Sequence, residues 1–274
     1  MDPSRTTYAA AVERLDGLAQ GERPAPLAGI ADNVLAVAAL LESQPGLRRA
    51  LIDPSRPGED RAGLLDSLLD TRVTEDARSL LRILVAGRWS SSTELLNAIE
   101  RLGVEALLAS ADTAGELIDV EDELFRFGQL VDGNLGLAAA LGSSTTPAEQ
   151  RSRLAHLLLD GKARPVTIRL VDVALRGFGG RSFSAGLTRL IELAADRRER
   201  EIAYVTVART MSEEQQSQLS EQLSSIYGRT VDLKISVSPD ILGGLRVRIG
   251  DDLYDATILR HLAEARAGLS GRRP

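Results

Sequence analysis

Between residues 6 and 19 the apolar positions Tyr8, Ala9, Val12, Leu15 and Leu18 recur at three- and four-residue spacing. That period marks a helix with one buried face. It continues through 29–43, 60–69, 75–86 and 93–109, with short joints rich in Pro, Gly and Ser. Amphipathic helices packed so closely along a chain bury their stripes against one another, which predicts a compact bundle over 1–110. After Glu201 the period changes. Residues 203–208 (AYVTVA) read as a strand, and Val231, Leu233, Ile235 and Val237 alternate with polar residues as a half-buried strand does. Between them, Ser212 and Gln215 have capping-box spacing for a helix that runs to Tyr227 and stops at Gly228. Leu245, Val247 and Ile249 alternate with Arg246 and Arg248, a tight turn follows at Gly250-Asp251, and Leu253 to Asp255 starts a return strand. Ile258, Leu262 and Ala265 form a last helical stripe beside His261.

The chain also repeats itself. PGEDRAGLLDSLLD from Pro57 faces PAEQRSRLAHLLLD from Pro147, an offset of 90 residues, and 57–87 matches 147–177 at nine of 31 positions without a gap. Leucines match easily by chance, but Pro57/Pro147, Glu59/Glu149, Arg61/Arg151 and Gly87/Gly177 do not, so a duplicated helical layout is expected. In the second copy Thr146, Pro147 and Glu149 have the order of N-cap, N1 and N3, which predicts a capping box. Arg61 and Arg151 fall near helix starts, where the dipole disfavours cations, and either salt bridges or extension into water would suit them. The expected class is therefore mainly α with a C-terminal α/β part: a bundle at 1–110, a second helical segment at 111–195 and a small α/β domain at 196–274 with a mixed or antiparallel sheet.

Composition narrows the function by exclusion. Aromatic residues are 3% of the chain, too few to build stacking platforms for single-stranded nucleic acid. The 33 Lys and Arg against 39 Asp and Glu give a net charge of −6, which disfavours non-specific binding to nucleic acid or anionic lipid. There is no Cys, hence no disulfide, thiolate nucleophile or cysteine metal site. The start, MDPSRTTYAAAVERL, lacks a signal-peptide core, and no apolar run approaches the ~20 residues of a membrane span, so direct membrane insertion is not expected.

Candidate chemistry is equally sparse. The acidic run Glu121-Asp122-Glu123 reads as a solvated helix start, His156 as a boundary or core histidine, and Trp89 as a core or rim anchor. The pair Gly243-Gly244 precedes a strand, whereas a phosphate-binding glycine loop follows a strand and opens a helix. Asp251 and Asp252 lack the spacing of a calcium loop. The glycines therefore read as structural, with positive φ or close backbone approach at one of them. His261 and Asp255 have no nucleophile elbow or orienting partner, so neither a catalytic residue, a cofactor nor a metal site is expected.

The segment SPDILGGLRVRIGDDLYDATILRHL from Ser238 resembles the C-terminal signature of the delta subunit family of F-type ATP synthases, relatives of the mitochondrial oligomycin-sensitivity protein. The matching positions are Pro239, Gly243, Gly244, Val247, Ile249, Gly250, Asp251 and Asp255, with Ala256 and Thr257 standing where the family usually has Gly and Ser. The preceding strand-helix-strand is similar to the family too. Arg5 to Ala11 is similar to its amino-terminal Arg-x-x-Tyr-Ala pattern, and the extra helical segment resembles the longer actinobacterial form.

The resemblance implies a non-catalytic stator role. The helical bundle would receive the amino-terminal helix of an alpha subunit on the catalytic head, with Tyr8, Ala9 and Val12 as candidate contacts. The C-terminal part would engage the b subunits of the peripheral stalk, and the whole would resist rotor torque during proton-driven ATP synthesis. Relatives fused to a b-like membrane segment exist; this chain starts at the bundle, so the stalk is expected to come from separate subunits. The implied place is the cytoplasmic face of the cell membrane, held peripherally. Without the resemblance the residues support an adaptor of two parts, and a generic helical-repeat scaffold or regulatory protein is the alternative.

Overall fold

The computed structural model describes residues 3–19, 26–69, 72–227, 230–238, 243–249 and 252–257. The chain divides into two compact units, Met1–Ala195 and Asp196–Pro274.

In the first unit α1 (Pro3–Ala19), α2 (Leu27–Ser43), α3 (Pro45–Leu51), α4 (Gly58–Leu69), α5 (Glu75–Ala86) and α6 (Ser92–Thr113) form one set of helices. They are followed by α7 (Leu117–Asp132), α8 (Leu135–Gly142), α9 (Ala148–Leu159), α10 (Pro165–Leu175), a short 3-10 turn (Phe178–Gly180) and α11 (Phe183–Glu199). The local start signals are visible. Thr74 and Ser91 accept N–H bonds from Ala77 and Glu94 at the heads of α5 and α6, and Asn134 accepts one from Leu137 at the head of α8. Pro45 and Pro165 open α3 and α10, where the missing N–H costs nothing. The heptapeptide α3 was not legible from periodicity, because seven residues hold barely two turns.

The repeat extends beyond the aligned segment. α7, α8, α9 and α10 each begin 90 residues after α2, α3, α4 and α5, and α11 begins 91 after α6. Shifted by the same 90, α1 falls inside α6. One helix thus closes the first set and opens the second. α6 packs on α1, α2, α3 and α5 and also on α7, α10 and the 3-10 turn. Consistent with contacts on both sides, every residue from Leu102 to Ala109 is buried, Gly103 and Glu105 included.

Two expectations at the copies need correction. There is no capping box at α9: Pro147 is itself the N-cap and makes no side-chain cap bond, so the helix starts one residue later than expected. Thr146 instead donates its hydroxyl to Ser143 Oγ at 3.0 Å. Nor do the paired arginines extend into water or form salt bridges among the described residues. Arg61 is buried and its Nη2 donates to the carbonyls of Ala86 (3.0 Å) and Gly87 (2.9 Å), at the C-terminal end of α5. Arg151 Nη1 donates to the Leu141 carbonyl (3.0 Å) near the end of α8. Each guanidinium thus satisfies carbonyls left over at the negative end of a neighbouring helix. The partners differ, Arg61 reaching forward along the chain and Arg151 back.

Glu100, on α6, ties down the 3-10 turn: its Oε2 accepts the N–H of Gly179 at 3.0 Å. Burial raises its pKa above the ordinary 4.5, the backbone hydrogen bond opposing and Glu42 adding to the rise.

In the second unit β1 (Arg200–Val207), α12 (Glu213–Tyr227), β2 (Thr230–Val237), β3 (Gly244–Ile249) and β4 (Asp252–Thr257) build a mixed sheet in the order β2-β1-β3-β4. β1 pairs parallel with β2 and antiparallel with β3, which forms a hairpin with β4. α12 is the crossover between the parallel strands, and its start is the expected capping box. Gln215 N–H donates to Ser212 Oγ (3.2 Å), and Ser212 N–H donates to Gln215 Oε1 (3.0 Å). Ala203, Val205, Val207, Leu223, Val231, Val247 and Ile249 form its core. Gly228 and the stripe Ile258, Leu262 and Ala265 with His261 lie outside the described residues.

Two outcomes follow. A Cβ on Gly103 would lie 2.6 Å from Leu35 Cδ2 and 2.7 Å from Leu35 Cγ, at the α2–α6 crossing. Gly103→Val is expected to destabilise the protein by about 1–3 kcal/mol through overpacking, measured by urea unfolding. Because the folded pKa of Glu100 is raised, folding disfavours its ionised form relative to the unfolded chain, and the associated stability is lost as pH rises through that pKa. Glu100→Gln, neutral at every pH, should therefore melt with the wild type near pH 3 and above it at pH 7. A variant melting below wild type at pH 7 would contradict the sign.

Candidate functional site

On α1, Ala11 and Leu15 point into the core and are fully buried. Tyr8 and Val12 are half-buried and pack on its margin, while Ala9 is exposed. The three candidate contact residues therefore form a partly open apolar strip. Its floor is fixed by the bundle's own packing and its middle is a bare methyl. Arg101 stacks on the Tyr8 ring, its guanidinium carbon 4.8 Å from the ring centroid, a cation–π contact of about 0.5–1 kcal/mol. At the same 90-residue offset the equivalent positions on α6 are Ala98, Ile99 and Leu102, with exposures of 7%, 0% and 0%. Only the first copy keeps this strip accessible.

Three of the signature residues of the second unit have a described structural place. Val247 and Ile249 are core, facing Val205 and Ala203 across the β1–β3 ladder. Gly244 opens β3 with φ 83°, and Gly243 precedes it half-buried. Asp255 stands opposite Arg246 in the backbone register of β3 and β4. Pro239, Gly250 and Asp251 lie outside the described residues.

The acidic run does not start a helix. Glu121, Asp122 and Glu123 lie within α7, and Glu123 turns toward the head of α10, accepting the N–H of Arg164 (2.9 Å) and the hydroxyl of the buried Thr167. Arg164 in turn reaches Glu116 (2.7 Å) and Asp119 on the same helix. The hydrogen bond to Asp119 is the largest influence raising its already high pKa. No sequence signal marked this network, because its members are 41 to 48 residues apart. His156 is a half-exposed boundary residue paired to Asp172 at 2.9 Å, with Ser152 donating to the same carboxylate. Trp89 packs on the core margin and donates Nε1–H to the Leu84 carbonyl at 2.7 Å. Among the described residues, no three His, Asp or Glu side chains are placed to hold a metal ion.

No single helix among the described residues is long and apolar enough to cross a membrane. α2 and α3 pass that test only jointly, and they are bent by 111° at their junction.

Comparison with known proteins supplies the remaining constraint. The family model described as ATP synthase delta (OSCP) subunit matches residues 99–269. The chain is 57% identical over 269 residues to ATP synthase subunit delta of Salinispora arenicola, covering 98% of both chains. It is 43% identical over 263 residues to that of Streptomyces avermitilis, covering 96% of both, and 38% identical over 268 residues to that of Thermobifida fusca, covering 98% of both. With identity sustained along nearly the whole length in these actinobacterial relatives, the chain belongs to the ATP synthase delta (OSCP) subunit family, a family of non-catalytic subunits.

Proposed function

We propose that this chain is a stator subunit that joins the catalytic head of an F-type ATP synthase to its peripheral stalk at the cytoplasmic face of the cell membrane. The helical unit receives the amino-terminal helix of an alpha subunit, and the sheet unit engages the b subunits. The reading rests on family membership, and the observation that carries its site is the accessible strip on α1. A shallow apolar strip with small residues in its middle suits the apolar face of an amphipathic helix. Tyr8, Ala9 and Val12 offer such a strip, whereas Ala98, Ile99 and Leu102 are covered by the rest of the unit.

A second reading has one observation in its favour. The family model begins at residue 99, so the second copy is the part most like the family's common bundle. On that reading the alpha helix docks elsewhere on α6–α11, where apolar side chains such as Leu157 are 78% exposed.

Titration of the full chain with a synthetic peptide of the alpha amino terminus separates the two. Ala9→Arg puts a long charged side chain in the strip and is expected to weaken binding at least ~10-fold, about 1.4 kcal/mol, with little change in melting temperature. Leu157→Asp should leave affinity unchanged. Apolar burial also predicts only a modest loss of affinity at high salt. The reverse pattern, Leu157→Asp weakening and Ala9→Arg silent, moves the contact to the second copy. A folded wild-type chain that does not bind the peptide contradicts the proposed contact.

A further inference from the structure

A cleft of about 710 Å³ opens between the first half of α6, the 3-10 turn and the start of α11. Phe178 and Ala185 contribute apolar lining, and Arg101, Arg181 and Arg189 line it with cationic groups. This concentration of guanidinium runs against a chain whose net charge is −6. The three arginines are not equally occupied. Arg189 is paired with Glu192 at 2.7 Å. Arg101 rests on the Tyr8 ring, and its buried Nε has no hydrogen-bond acceptor among the described residues, the Glu105 carboxylate standing 3.8 Å away. Arg181 makes no ion pair among the described residues, and its guanidinium lies directly over Gly179, where a Cβ would fall 2.3 Å from Nη1.

We propose that this cleft binds one carboxylate of an acidic, apolar-flanked polypeptide segment from a partner protein, with Arg181 as its principal ligand.

Charge decides the class. Two of the three arginines already face a carboxylate of this chain, so about one positive charge is uncompensated. A single carboxylate neutralises it, whereas a polyphosphate would bring several negative charges into a site that also has Glu192 on its wall. Planar guanidinium groups present paired N–H donors matched to a carboxylate. The apolar lining gives the neighbours of that carboxylate a surface to cover, and the volume exceeds what a lone anion fills. The site is separate from the α1 strip, although Arg101 links the two through Tyr8.

The test uses the full chain labelled for NMR, read at the amides of Gly179, Gly180 and Arg181. The probe is a short synthetic peptide with one glutamate between leucines; controls are the same peptide with glutamine and inorganic pyrophosphate. Saturable shifts at the three amides with the glutamate peptide, at least ~10-fold weaker with glutamine, are expected. Arg181→Ala should weaken the glutamate peptide ~10-fold, and Thr188→Trp, at the exposed rim, should block it without disturbing the fold. Arg176→Ala, an exposed arginine outside the cleft, should change nothing. Equal binding of the glutamate and glutamine peptides overturns the proposal, as does an unaltered affinity in a folded Arg181→Ala protein. Pyrophosphate binding more tightly than the peptide also overturns it, assigning the cleft to phosphates. None of these results bears on whether the alpha peptide binds at Ala9.

Discussion

The first unit depends on the burial of one helix from both sides. α6 is 22 residues long, and its inner segment has no solvent-facing stripe, so it cannot be stable as the outermost helix of either set alone. Leu95, Ile99, Leu102 and Leu107 are fully buried, and truncating any such side chain typically costs about 2–5 kcal/mol. The close approach of α2, permitted by Gly103 against Leu35, seats the first set on this helix. The 3-10 turn held by Glu100 and the contacts with α7 and α10 seat the second. A duplicated sequence has thus become one folded body rather than two beads.

Polar contacts then set alignment more than they supply stability. Arg169 on α10 donates to the Ala28 carbonyl at 2.8 Å and pairs with Asp32 on α2, tying the copies together across 137 and 141 residues of chain. Exposed ion pairs of this sort contribute about 0–1 kcal/mol each. Arg61 is different, because burial commits its guanidinium to the last carbonyls of α5 and makes that bond costly to lose. Sharing a helix also decides which surface stays accessible. It covers Ala98, Ile99 and Leu102, the positions 90 residues after Tyr8, Ala9 and Val12, and leaves the strip on α1 accessible.

The fold was largely legible in the sequence wherever a single period governed a segment. The long helices, the capping box at Ser212 and the alternation at Val231 to Val237 and Leu245 to Ile249 are all local signals. The offset of 90 was readable too, since Pro57/Pro147 and Arg61/Arg151 survive at one spacing. What stayed hidden depends on distance in the chain. The partners of Arg61 and Arg151, the Arg164–Glu116–Asp119–Glu123 network and the cleft at Arg181 join residues from different helices. The double role of α6 was hidden for another reason. A helix buried on all sides still shows helical period, and the sequence does not say how many neighbours it serves. Val247 and Ile249 were legible as inward-facing strand positions because they alternate with Arg246 and Arg248, and both are core.

Native-state hydrogen exchange on the full-length protein tests the shared-helix account most directly. Residues that open together exchange with one free energy. If α6 holds both copies in one body, core amides of α2 and α5 in the first copy, and of α10 in the second, will exchange with the same opening free energy as those of α6. First-copy amides that open at a clearly lower free energy, while α6, α7 and α10 remain protected, would contradict it and make the first copy an appendage.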